Sequence, residues 1–107
     1  MYLDCIEEII ATRTLDFAGE ETPGRKVQVH IGKPQVSKDS IGYYCPFQIS
    51  GVGSEEVKYG KGIDGIQALQ AALFLIAANL NYFNEQVGDK LRWEGSSESD
   101  FGFPGAR

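Results

Sequence analysis

Ile66, Leu69, Leu73, Ile76, Leu80, Phe83 and Val87 recur at spacings of 3, 4, 3, 4, 3 and 4. Only an α-helix draws such a pattern into one continuous stripe, so the carboxyl half of the chain is committed to a single long amphipathic helix. Asp64 is placed to cap its first turn, with Gln67 three positions on completing a capping-box-like pair. Gly88 stands where a left-handed C-terminal residue belongs. At about 1.5 Å per residue, residues 65–87 would span roughly 34 Å, longer than the radius of a domain of this size, so the helix is expected to cross a whole sheet.

The second face of this helix is unusual. Ala68, Ala71, Ala72, Phe74, Leu75, Ala77, Ala78 and Tyr82 lie outside the main stripe, which leaves residues 68–80 apolar almost all round. A helix of this kind needs cover on more than one side. Two readings stand side by side. In one, the alanines are good helix formers at the surface, and Phe74 and Leu75 tuck under the N-terminal segment or the aromatic tail. In the other, Phe74 with Leu75 or Tyr82 forms a contact with a second copy of the chain or with another protein.

The rest of the chain reads as strands. Leu15 and Phe17 alternate with Thr14 and Asp16, and Val27, Val29 and Ile31 alternate with Lys26, Gln28 and His30. That is the period of a half-buried strand. Residues 34–42 read as a polar loop. Tyr43, Cys45, Phe47 and Ile49 then share one face, and Gly51, Gly53 and Ser54 turn the chain into residues 56–60, which predicts an antiparallel hairpin. Leu91 and Trp93 mark a last strand, and Phe101 and Phe103 are expected to pack back. The expected fold is α+β: a mainly antiparallel sheet of four or five strands with one long helix packed across one face. Leu15, Phe17, Val27, Val29, Ile31, Tyr43, Phe47, Ile49, Val57, Tyr59 and Trp93 are predicted to meet the helix stripe. With 107 residues, 42% of them hydrophobic, the chain suits one domain, with residues 95–107 as a partly flexible tail.

A formal net charge of −5 works against binding a phosphate backbone, where affinity comes largely from Lys and Arg. The charge is uneven, at −5 over residues 1–22, +3 over residues 23–62 and −3 over residues 63–107. The acid-rich stretches hold Glu20, Glu21, Glu98 and Asp100. Cys5 and Cys45 are in no metal or redox spacing, and no secretory signal precedes them, so a cytoplasmic protein with reduced thiols is expected. The strongly apolar stretch at residues 71–78 falls well short of the roughly 20 residues of a membrane span, and no transmembrane segment is expected.

Gly60, Gly62 and Gly65 form a G-x-G-x-x-G between a strand and a helix, the setting in which a dinucleotide pyrophosphate rests on a helix N-terminus. The strand belongs to a hairpin and no parallel partner strand follows, so the glycines are expected to serve a tight strand-to-helix turn. The order strand, strand, strand, G-x-G, Ala-rich helix over residues 60–72 resembles the end of a double-stranded-RNA-binding domain. In that family lysines at the helix start meet phosphates; here Asp64, Gly65 and Gln67 hold those places. The order strand, strand, strand, helix, strand is also similar to the small partial RNase H-like domain of HicB-type antitoxins, which implies a protein that neutralises a partner. Over residues 11–104 the chain resembles small uncharacterised bacterial α+β proteins of a domain-of-unknown-function type.

Catalytic material is sparse. His30, the one histidine, lies on the polar face of a strand, and Cys45 shares the inward face of Tyr43 and Phe47. Glu7 and Glu8, Glu20 and Glu21, and Glu55 and Glu56 are adjacent pairs, and neighbours on a strand point to opposite faces. No enzyme activity, cofactor or metal is expected. The reading is a non-enzymatic protein-binding module, immunity- or antitoxin-like, whose contacts fall at Glu20, Glu21, Phe74, Tyr82, Glu98 and Asp100, with a homodimer as one form of that contact. Nucleic-acid binding through Arg25, Lys26, Lys58 and Lys61 competes with it. So does a small ligand held between helix and sheet near Tyr43, Tyr59 and Trp93.

Overall fold

The computed structural model of the chain describes residues 6–18, 26–38, 41–53, 55–93 and 101–103. The elements run β1 (Ile9–Phe17), β2 (Lys26–Gly32), β3 (Gln35–Val36), β4 (Tyr43–Ser50), β5 (Val57–Gly62), α1 (Gly65–Gln86) and β6 (Leu91–Arg92). Every strand pairing is antiparallel. β4 lies between β5 on one side and β2 and the short β3 on the other, and beyond β2 follow β1 and β6. The fold is α+β, as the periodicities imply. The addition is β3, inside the segment read as a loop, where Gln35 and Val36 pair with Tyr44 and Tyr43.

Register fixes which side chains meet the helix, because directly paired residues share a face. Leu15 faces Val27, Val29 faces Ile49 and Ile31 faces Phe47, all on the helix side and all buried. The same rule sets Val57 opposite Gln48 and Tyr59 opposite Pro46, on the outer face of the sheet. That corrects their assignment to the helix-facing core. Tyr59 instead meets buried Tyr44 edge to face, with ring centroids 6.1 Å apart.

The helix is capped as its sequence demands. Asp64 accepts a hydrogen bond from the Gln67 N–H at 2.8 Å, and Gln67 Oε1 accepts one from the Ile63 N–H at 2.7 Å. Val87 forms the C-cap and Gly88 takes φ +79°. The face that α1 buries is not centred on its leucine stripe. Ala68, Ala72, Ile76 and Leu80 are fully buried, whereas Ile66 is 71% exposed.

Two glycines explain the rotation. A Cβ at Gly60 would stand 2.3 Å from the Ala72 nitrogen and 2.8 Å from the Ala68 oxygen, and one at Gly62 would stand 2.4 Å from the Ala68 nitrogen. Backbone thus packs on backbone, with the small face of the helix pressed onto β5. Gly60 and Gly62 serve this approach rather than a turn, and Leu69 and Leu73 are pushed to its flanks. The approach also holds α1 above β5 and β4, so it does not cover the whole sheet.

The rest of the inner face is closed by the aromatic tail. Phe101 is buried, and Trp93 and Phe103 pack against the same core. Arg13 on β1 donates from Nη1 to the Phe101 carbonyl at 2.8 Å, with its guanidinium carbon 4.1 Å from the Trp93 ring centroid and 4.8 Å from that of Phe103. At the far end of the helix, Asn84 links α1 to β6. Its Oδ1 accepts from the buried Leu91 N–H at 2.9 Å, and its amide donates to Asp89 at 2.7 Å. That interaction supports Asp89 at φ 62°.

Candidate functional site

Among the described residues, the outward face of α1 is one surface that the fold leaves without an internal partner of matching chemistry. Phe74, Ala78 and Tyr82 follow at i, i+4 and i+8, and Leu75 sits beside them, so the four form one strip on the helix surface. Phe74 is 52%, Leu75 38% and Tyr82 65% exposed. Among the described residues, neither 6–18 nor 101–103 covers Phe74 and Leu75 as the first of the two readings required; residues 101–103 lie toward β1. Glu85 is the only charged residue in Gly65–Gln86. By length and composition this helix is also apolar enough to cross a membrane, with a mean hydropathy of 1.3. Here one side of it is laid on the sheet.

Beside Tyr82, between the end of α1 and the β4–β5 hairpin, lies a cavity of about 230 Å³. Phe47, Ile49, Val52 and Phe83 make its apolar floor, and Glu56, Lys58, Asn79, Tyr82 and Gln86 its rim. Lys58 is on the helix side of β5, opposite Phe47, and its ammonium donates to Asn79 Oδ1 at 3.3 Å. The Asn79 amide in turn donates to the Leu75 carbonyl at 2.7 Å. The cavity and the apolar strip therefore share an edge at Tyr82. Sequence reasoning missed this cavity, because Val52 lies in a turn and Lys58 reads as a solvent-facing strand residue; the inward register of Lys58 is legible only once the hairpin pairing is known.

Tyr43, Tyr59 and Trp93 do not come together. Tyr43 packs at the edge of the core, Tyr59 lies on the outer face, and Trp93 is under the tail. The basic residues are divided too. Lys26 pairs with Asp16 on the outer face, Lys61 lies over the Tyr59 ring at 5.6 Å on that same face, and Lys58 points to the other. Arg25 lies outside the described residues, as do Glu20, Glu21, Glu98 and Asp100. Of the candidate contact residues, the structure places Phe74 and Tyr82 on one strip. Arg13 was not singled out by its sequence context; its signal was a lone cation in an acidic stretch together with unpaired aromatics in the tail.

The reactive side chains are held apart or hidden. Cys45 is fully buried, donates its thiol to the Gly32 carbonyl at 3.4 Å, and is pushed by that burial from 9.0 to about 11. His30 is half-buried on the outer face, across from Thr12 and Gln48. Glu7 and Glu8, and Glu55 and Glu56, precede β1 and β5 rather than lying in them, so strand alternation does not orient these pairs. Among the described residues no three His, Cys, Asp or Glu side chains are grouped to hold a metal ion.

A family model described as Domain of unknown function (DUF6968) matches residues 11–105. The chain belongs to the DUF6968 family. No curated protein and no solved structure matches it. For this DUF6968 domain the functional reading therefore rests on the strip, the cavity and the charge.

Proposed function

We propose that this DUF6968 protein is a non-enzymatic protein-binding module, acting in the manner of an immunity protein or antitoxin that neutralises a partner by occupying it. The observation that carries this reading is the outer face of α1, where Phe74, Leu75 and Tyr82 stand exposed on a surface with no charged side chain before Glu85. Burying one such side chain against a partner is worth about 1.5–3 kcal/mol. The cavity beside Tyr82 adds a pocket for an apolar anchor from the partner, the arrangement in which interface energy concentrates. The net charge of −5 favours fast encounter with a basic protein, in a cytoplasmic setting with reduced thiols. Phosphate binding draws less support, since Lys26 and Lys61 lie on one face and Lys58 on the other.

A photoreactive phenylalanine analogue placed at position 74 or 82 tests the reading, with position 14 on the outer face of the sheet as control. Adducts to polypeptide are expected from 74 and 82 in the native host and not from 14. Their absence from 74 and 82 would remove the basis of the proposal.

A second reading has its own observation, the apolar floor and the Lys58 ammonium of the cavity, which suit a small aromatic carboxylate. At about 230 Å³ it lies below the usual range of roughly 300–1,000 Å³ for ligand pockets, so only fragment-sized compounds would fit. Benzoate and indole acetate should raise the melting temperature of the wild type and not of Phe83→Trp, which fills the space.

A further inference from the structure

We infer that the cavity beside Tyr82 is a site for a zwitterionic aromatic amino acid, with its ring on the apolar floor, its carboxylate at Lys58 and its ammonium at Glu56. This rests on the small-ligand reading of that cavity and replaces the bare carboxylate with a ligand that carries both charges. Three observations support it.

The rim pairs two opposite charges. Glu56 and Lys58 both line the cavity and stand two residues apart, so their Cα atoms are separated by at most about 7 Å. The remaining rim residues, Asn79, Tyr82 and Gln86, are neutral. A lone carboxylate would be drawn to Lys58 and repelled by Glu56, and a lone amine would meet the reverse. The head of an α-amino acid carries both groups on one carbon and can answer both side chains with charge-assisted hydrogen bonds.

Lys58 is also held in place with donors to spare. Its ammonium donates to Asn79 Oδ1 at 3.3 Å, and Asn79 is itself fixed by donating to the Leu75 carbonyl at 2.7 Å. An ammonium has three donors, which leaves capacity for a ligand carboxylate. Asn79, Tyr82 and Gln86 follow at i, i+3 and i+7, so one face of α1 supplies the amides and the hydroxyl that close the other side of the mouth.

Size and net charge select the same ligand. A volume of about 230 Å³ suits a fragment, and the Phe47 and Phe83 rings in the floor suit an aromatic side chain. A chain of net charge −5 repels an anionic ligand, whereas a zwitterion escapes that penalty. Both rim charges meet water, so the affinity is modest, with a dissociation constant on the order of 1 mM.

Titrations followed by amide chemical shifts test this with L-phenylalanine, with hydrocinnamate, which lacks the ammonium, and with phenethylamine, which lacks the carboxylate. Phenylalanine should bind about threefold or more tightly than either analogue, with the shifts centred on Val52, Lys58, Asn79 and Phe83. Glu56→Gln should abolish its advantage over hydrocinnamate, and Lys58→Gln its advantage over phenethylamine; both side chains are exposed, so neither substitution disturbs the core. Hydrocinnamate binding as tightly as phenylalanine, ratios unchanged in either variant, or shifts elsewhere on the molecule would overturn the inference. If benzoate or indole acetate raises the melting temperature while phenylalanine does not bind, the small-ligand reading stands and the amino-acid assignment falls. If none of these compounds moves a resonance at the cavity, both fall.

Discussion

At Gly60 the missing side chain decides where a 22-residue helix lies. Because a Cβ there would enter the backbone of α1 at 2.3 Å, the strand or the helix must move, and no flexible side chain is present to give way. Gly60→Ala is expected to cost at least the 1–3 kcal/mol typical of overpacking, read as a lower urea midpoint at unchanged slope. Gly65→Ala is the matched control: its Cβ would meet nothing nearer than Pro34 at 3.6 Å, and alanine in the first turn should be neutral or stabilising by up to about 1 kcal/mol. Cys45 makes a second prediction at this scale. Its thiol stays protonated in the folded state up to about pH 11 but ionises near 9.0 when unfolded. Between those values the folded chain binds the extra proton, so stability is fully present below pH 9 and falls as pH rises, by at most about 1.4 kcal/mol per unit. All other groups are common to the wild type and a Cys45→Ala variant. The check is therefore the difference in slope: Cys45→Ala should lose stability less steeply between pH 9 and 11 than the wild type. Equal slopes would mean that the thiol is not shielded.

Among the elements, helix limits, caps and the hairpin of β4 and β5 were legible in the sequence, because each depends on neighbours within a few residues: Asp64 on Gln67, Gly88 on the turn before it, Cys45 and Phe47 on strand alternation. What was not legible depends on the shape of a distant partner. Hydropathy ranks leucine above alanine, so the stripe through Ile66 and Leu73 marks the core; the bare backbone at Gly60 and Gly62 reverses that order by accepting only Ala68 and Ala72. Val57 and Tyr59 were placed on the wrong face for a similar reason, since alternation says that two faces differ but leaves register to decide which is which. The exposed strip was half legible: its composition showed an uncovered face, but whether the tail would reach it depended on Arg13 holding that tail elsewhere. Arg13→Met keeps the apolar stem and removes both ring contacts and the donor to the Phe101 carbonyl. A loss of about 1–3 kcal/mol and a red shift in the emission of Trp93 are expected. Arg13→Lys should recover little of this, because an ammonium cannot lie flat between two rings as a guanidinium does.

Across the whole molecule, the inner face of one sheet is shared by two covers that never meet in sequence: α1 over β5 and β4, and the residues around Phe101 over β1 and β2. They are nevertheless parts of one core, in which Ile76 and Leu80 of the helix, Phe47 and Val29 of the sheet and Phe101 of the tail form a single cluster. Phe17 joins the two halves directly, its ring edge to face with Phe83 at 6.2 Å. Such continuity leaves no boundary at which one cover could melt while the other stays packed, so unfolding should be two-state. The helix reports in the far ultraviolet, and Trp93, the sole tryptophan, reports at the other cover. In urea the two signals should trace one transition with a common midpoint and slope. Phe101→Ala should move both together by about 3–5 kcal/mol, although the substituted ring lies in the tail and not in the helix. If the fluorescence transition alone shifted, the tail would be an appendage laid on a finished domain, and the burial of β1 and β2 would have to come from elsewhere.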